Sequence, residues 1–154
     1  MRTSTGQHAA GVRAIIGRIL ARHPDAFYEK AYEGWYCVGC ESFRTPRELD
    51  NGRCAVHPSL DIERVAESNW FFRLSAFREQ LATFLSATPE FVQPVPRYNE
   101  VLSLVERGLE DVSITRASLD WGIPFPIADA RGRHQTIYVW FDALPSYLTA
   151  TGFP

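Results

Sequence analysis

The chain has 154 residues, a formal net charge of -2, 45% hydrophobic residues and 13% aromatics. That apolar content can build one packed domain and is too high for a disordered segment, and the charge excludes a generally basic, nucleic-acid-coating protein. No apolar run is long enough to span a membrane, and the N-terminal stretch has no apolar signal region, so neither a membrane role nor secretion is expected.

The basic residues are lopsided. Lys30 is the only lysine and arginine supplies the rest. Codon bias in a GC-rich genome accounts for this, and it removes any P-loop Gly-Lys-Ser/Thr element. The three cysteines make a poor disulfide framework and point to a reducing, cytoplasmic setting.

In chain order, Val12, Ile15, Ile16, Ile19 and Leu20 repeat at helical spacing, which predicts an amphipathic helix from Gly6 to about Arg22, stopped by Pro24. "AFYEKAYEGWYC" is aromatic-rich and weakly alternating, as in a strand. "NWFFRLSAF" predicts a second strand, followed by a helix with Phe77, Leu81, Phe84 and Leu85 on its apolar face. "TPEFVQPVPRYNE" predicts a connector because Pro94 and Pro96 forbid regular pairing. Val101, Leu102, Leu104 and Val105 then mark a short helix ending near Gly108. "DVSIT" and "QTIYVWF" predict strands separated by a turn-rich excursion, and "DALPSYLTATG" predicts a helix with Asp142 near its start and Gly152 past its end. Strand, excursion, strand and helix suggest the edge of an α/β sheet.

All three cysteines lie in "YCVGCESFRTPRELDNGRCAVHP". Cys37-Val-Gly-Cys40 and Cys54-Ala-Val-His57 repeat one spacing, and two such turns can present four soft ligands tetrahedrally. Pro46, Asn51 and Gly52 between them suit a hairpin, and Arg44, Arg47 and Arg53 could offset the thiolate charge. Reduced thiols beside a coincidental histidine, or a redox CxxC, are the alternatives. The doubled spacing favours a structural Zn2+ with four protein ligands.

Several stretches together resemble one family. "YEGWYCVGCESF", "SNWFFRLS", "RYNEVL", "DVSITRASLDWGIPFP" and "IYVWFDALPSYLTATGFP" resemble, in order and spacing, the middle of a methionyl-tRNA synthetase, and "RTSTGQH" resembles the segment before the first helix of that region. The resemblance covers essentially the whole chain, and the arginine-rich composition and the "YLTATGFP" ending resemble the actinobacterial, single-knuckle form. It implies an α/β fold: part of a Rossmann-type class I synthetase catalytic core with an inserted connective domain carrying the zinc knuckle. Residues 1–24 would be a helix leading out of the first Rossmann half, 25–95 the connective domain, and 96–154 the return into the Rossmann fold. The activity implied is ATP-dependent formation of methionyl-adenylate and transfer of methionine to tRNA(Met), with Mg2+ accompanying ATP.

The resemblance also suggests site residues. Trp140, Ala143, Leu144 and Tyr147 are spaced i, i+3, i+4, i+7, so one helical face can present them all, and the family uses the matching positions to line its methionine pocket. Two aromatics around a small residue form a slot that suits a polarisable thioether; spacing alone favours core packing, and the resemblance reverses that preference. Arg116 matches an arginine near the family's active site, where a guanidinium could hold the methionine carboxylate or charge growing on the phosphate. Asp142 matches the acid of the family's "WxDA" motif or simply stabilises a helix N-terminus, and Asn99 and Glu100 match a structural "NE" pair.

The family's two ATP signatures are missing. His8, His23, His57 and His134 are nowhere three apart, which excludes HxGH, and lone Lys30 excludes a KMSKS-like loop. By resemblance these would flank the chain on either side, so negligible adenylation is expected of this chain alone, and the remaining synthetase segments become its expected partners. A free-standing zinc-knuckle module that binds tRNA or protein without chemistry is the competing reading; Arg44, Arg47, Arg53 and Arg64 give it some support.

Overall fold

Thr5 opens the first helix by accepting a hydrogen bond from the His8 amide (3.3 Å), and α1 then runs over Gly6–Arg22. His8, Gly11, Val12 and Ile16 are its buried residues, so one stripe of the helix faces inward. The structure, a computed structural model, describes residues 2–40 and 42–154. A short turn at Pro24–Ala26 leads into β1 (Phe27–Cys37), and β2 (Ser42–Arg44) returns beside its far end. A small hairpin follows, β3 (Leu49–Asp50) with β4 (Arg53–Cys54), turned by Asn51 and Gly52 at φ of 48° and 76°. Two successive positive φ values are what a tight two-residue hairpin requires, and Asn-Gly supplies them at low cost.

β5 (Glu63–Phe72) pairs antiparallel with β1 along its length, from Phe27 opposite Phe72 to Tyr36 opposite Glu63. With β2 outside β1 and β6 (Val112–Ser113) outside β5, the sheet order is β2-β1-β5-β6. β7 (Thr115–Arg116) and β8 (Thr136–Ile137) form a separate antiparallel pair. Among the described residues every strand pair is antiparallel, in a chain of mixed helix and sheet.

The second predicted strand therefore begins earlier than "NWFF" and stops at Phe72. Phe77 closes a 3-10 turn and packs on Phe72 (5.3 Å between ring centres) and His23. Helix α2 (Arg78–Ala87) buries only Leu85 of the predicted apolar face, and Phe84 lies exposed against Phe91. Helix α3 spans Val95–Arg107, longer than expected. Pro96 did not stop it because the first turn needs no amide hydrogen there, and Pro94 serves as the cap whose carbonyl accepts from Arg97 (2.8 Å). Gly108, at φ 112°, ends it. Arg78 donates to the Val105 and Glu106 carbonyls (3.1 and 2.6 Å), so a guanidinium satisfies the negative end of α3.

"QTIYVWF" is corrected more substantially. Only Thr136 and Ile137 are strand; the Tyr138 amide still pairs with Ile114 (2.8 Å), and then the chain turns into α4 (Val139–Ala143). The amides of Phe141 and Asp142 donate back to the Tyr138 carbonyl, so local helical closure wins over the β-rich composition once the neighbouring strand runs out. The predicted single C-terminal helix is likewise two pieces, α4 and α5 (Ser146–Thr149), separated at Leu144–Pro145.

The central apolar cluster joins Val12 and Ile16 of α1, Ala26 and Phe27, Ile114, Ile123, Phe125 and Ile137. Phe125 sits at its centre with ring centres 5.3 Å from both Phe27 and Trp70. Polar ties complement it: the Trp70 amide donates to Thr115 Oγ1 (2.8 Å), which donates to Gln135 Oε1 (2.6 Å), and Gln135 Nε2 donates to the Ser68 carbonyl (2.7 Å). Asp129 closes the excursion loop by accepting the amides of Arg131 and Arg133 (2.9 Å each), and these bonds, led by Arg133, hold its carboxyl below the usual aspartate range. Truncating Phe125 to Ala should cost about 3–5 kcal/mol of stability, measurable by denaturant unfolding.

Candidate functional site

The far end of the β1–β5 ribbon carries the cysteine cluster. Cys37 is the last residue of β1, and the turn after it places Cys40; β4 ends on Cys54, and the turn Cys54–His57 closes when the His57 amide donates to the Cys54 carbonyl (3.1 Å). The three sulfurs and His57 Nδ1 all lie within 4.8 Å of one another. Cys40 Sγ is 3.6 Å from Cys54 Sγ and 3.0 Å from His57 Nδ1, and Cys37 Sγ is 3.8 Å from that nitrogen. A tetrahedral ion with bonds of roughly 2.0–2.3 Å needs donor separations of about 3.6–3.8 Å, so the donor set fits a metal with small adjustment. Cys37 and Cys54 are buried, and the three thiols are reduced.

The surroundings suit thiolates. Burial pushes the Cys54 thiol up, but donation from the His57 and Val56 amides and from the Cys37 and Cys40 thiols outweighs it and brings the pKa to about 6. Burial dominates at Cys40 and raises it. Arg44 hydrogen-bonds Cys40, which raises the guanidinium pKa, and also donates to Glu48 (3.1 Å). Arg53, expected to offset thiolate charge, turns instead to the Pro58 carbonyl and Asp61 (2.9 Å each). Gly39 is required here sterically: a Cβ would stand 2.8 Å from the His57 ring and 2.7 Å from Leu60 Cδ1.

Arg116 lies far less exposed than a surface arginine, at 7%. Its Nη1 donates to Ser113 Oγ and the Thr115 carbonyl (2.8 Å each), its guanidinium carbon sits 3.9 Å over the Tyr138 ring, and its Nε is buried without a partner. Two cavities meet at it. One of about 490 Å³ runs under Val38, Phe43, Val65 and Tyr138 toward the cysteine hairpin, and one of about 380 Å³ is lined by Asn69, Phe71, Tyr138 and Trp140.

Trp140, Leu144 and Tyr147 are 68%, 66% and 79% exposed, and Ala143 is half-buried. Core packing therefore does not explain the stripe: the break at Leu144–Pro145 buries Pro145 and leaves those three outside. Trp140 and Arg116 line the same cavity, whereas Ala143, Leu144 and Tyr147 are not among its lining residues. Glu100 pairs with Arg97 (2.7 Å) on the exposed surface of α3, where Asn99 also lies.

Asp142 shows a residue that sequence reading missed. Its Oδ1 is 2.6 Å from Nε2 of fully buried His8. Nothing in the spacing pairs positions so far apart; the only hint is a polar residue at an inward position of α1.

A family model described as tRNA synthetases class I (M) matches residues 44–154, and the chain belongs to that family. It is 45% identical over 152 residues to a methionine--tRNA ligase of Nostoc sp., covering 97% of this chain and 27% of that protein. A methionine--tRNA ligase of Streptomyces coelicolor is 39% identical over 161 residues, covering 99% and 29%. Among solved structures, Mycobacterium tuberculosis methionyl-tRNA synthetase in complex with methionyl-adenylate superposes with a TM-score of 0.78 at 37% identity, over 100% of this chain and 30% of the other. The chain thus spans under a third of the length of these relatives.

Replacing Gly39 by Ala should displace the His57 ring and lower metal retention after dialysis, read by elemental analysis; unchanged content would mean that the turn absorbs the clash.

Proposed function

We propose that this chain is part of a methionine–tRNA ligase, supplying its methionine slot and a zinc-stabilised connective domain. The observation that carries the reading is that exposed Trp140 lines one cavity with buried Arg116, with Leu144 and Tyr147 exposed on the short helices that follow it. The likeness to methionine--tRNA ligases across the chain supports it. Residues 1–24 and 96–154 belong, on this reading, to a Rossmann-type core, and 25–95 to the insertion.

The chemistry follows from the residues. The side chain of methionine lies between the Trp140 and Tyr147 rings over Ala143 and Leu144, where a flexible, polarisable thioether gains contact with both. Such a slot discriminates by shape more than by hydrogen bonds. Arg116 presents a cation held from behind by Ser113 and Thr115, ready for the methionine carboxylate or for charge on the α-phosphate. The carboxylate oxygen attacks the α-phosphorus of ATP, which arrives with Mg2+, and pyrophosphate leaves. A terminal ribose hydroxyl of tRNA(Met) then attacks the acyl carbon and AMP leaves. The groups that hold the ATP phosphates come from the remaining synthetase segments, because this sequence has no HxGH pair and only one lysine. Three cysteines outside any disulfide fit a reducing, cytoplasmic setting.

Cys37, Cys40, Cys54 and His57 hold a structural zinc ion. Four protein donors leave no open position, so the ion orders the hairpin and does no chemistry. Its binding contributes folding free energy on the order of 10 kcal/mol at neutral pH. Of the four arginines that favour a binding module without catalysis, Arg44, Arg53 and Arg64 are engaged by Glu48, Asp61 and Glu33, which leaves exposed Arg47 outside these pairs and weakens that reading.

Methionine-dependent ATP–pyrophosphate exchange tests the enzyme reading. The chain alone should give none, and joining the flanking synthetase segments should restore it. In that assembly Trp140→Ala should raise the methionine KM by about tenfold or more while leaving the ATP KM nearly unchanged. Failure of the assembly to exchange, with the chain folded, would count against the reading. Cys54→Ser should abolish stoichiometric zinc and unfold residues 37–60, seen as loss of amide protection there.

A further inference from the structure

His8 is fully buried in the first turn of α1, and both ring nitrogens are engaged: Nε2 at 2.6 Å from Asp142 Oδ1 and Nδ1 at 2.9 Å from Thr149 Oγ1. A carboxylate only accepts, so Nε2 carries a hydrogen toward Asp142, and the Thr149 hydroxyl can serve Nδ1 in either role. The partners lie 134 and 141 residues away in sequence, on α4 and α5. We propose that His8 is a positioning residue for the amino-acid slot: it sets the orientation of the two short helices that present Trp140, Ala143, Leu144 and Tyr147. This rests on the slot reading given above.

Three observations carry it. First, α4 has five residues and α5 four, separated at Leu144–Pro145. Helices this short do not hold themselves, so tertiary ties must set their direction. Second, the two helices are gripped on one side and open on the other: Pro145 and Thr149 are buried and Asp142 is bonded to His8, while Trp140, Leu144 and Tyr147 face outward. Third, α1 lies directly against α5. A Cβ on Gly11, one turn beyond His8, would collide with Thr149 Cγ2, and further along α1 the Arg18 guanidinium carbon sits 4.6 Å over the Phe153 ring.

A polar tie suits this task better than apolar packing. Apolar contacts tolerate sliding, whereas two directional bonds to one rigid ring specify both distance and angle, and a buried polar atom that loses its partner is penalised. α1 has no acid of its own in its first turn, so Asp142 also brings negative charge to the positive end of that helix.

The test uses His8→Ala with two readouts. In the chain itself, 5-fluorotryptophan labelling gives fluorine signals from the four tryptophans, with Trp140 assigned through Trp140→Phe. His8→Ala should shift or broaden the Trp140 signal and leave those of Trp35, Trp70 and Trp121 in place; a general loosening would move all four and overturn the proposal. In the active assembly, the methionine KM should rise about tenfold, with the ATP KM within about twofold of wild type. Equal rises in both, or no change in methionine KM, would overturn it. If His8→Ala fails to fold, Asp142→Ala decides by the same two readouts, because it removes the acceptor for His8 Nε2 and leaves the ring in place. If instead Trp140→Ala itself leaves the methionine KM unchanged, the slot reading fails, whatever His8 does to the Trp140 signal.

Discussion

The antiparallel ladder between β1 and β5 is the constraint on which the rest of the structure depends. One end is anchored by Phe27, opposite Phe72, in the apolar cluster under α1. The other end delivers Cys37 to the cysteine–histidine cluster. Because side chains alternate along each strand, a slip of one residue would turn Phe27 out of the core and misplace Cys37 together. Core packing and knuckle geometry therefore share one register.

The return segment follows a different logic. Between Val112 and Pro154 the strands are two residues long and the helices four or five, too short for regular hydrogen bonding to specify their arrangement. Long-range polar contacts do so instead: Thr115 and Gln135 bind this segment to β5, and Asp142 and Thr149 bind it to α1 through His8. Trp140, Leu144 and Tyr147 lie exposed on this segment. The same segment carries Arg116, whose burial against Tyr138 places a cation where the two cavities meet.

The family assignment and the geometry constrain each other. Similarity over the chain places it among the class I (M) synthetases, while the relatives it matches are more than three times longer.

Local patterns were legible in the sequence because their causes are local. The apolar repeat of α1, the Asn51-Gly52 turn and the doubled CxxC/CxxH spacing each depend on neighbouring residues alone, and each stands where the sequence puts it. The run "QTIYVWF" shows the limit: its composition favours a strand throughout, but where the partner chain ends decides that only Thr136 and Ile137 form one. Spacing likewise placed Trp140, Ala143, Leu144 and Tyr147 on one face without deciding whether that face is buried, and Pro145 turning inward decided it. The sequence by itself determined the cluster of three cysteines and His57, the main helix and ribbon, and the family. Only the tertiary structure decided the exposure of the slot, the setting of Arg116 and the pairing of His8 with Asp142, because burial and contacts across more than a hundred residues are properties of how segments meet.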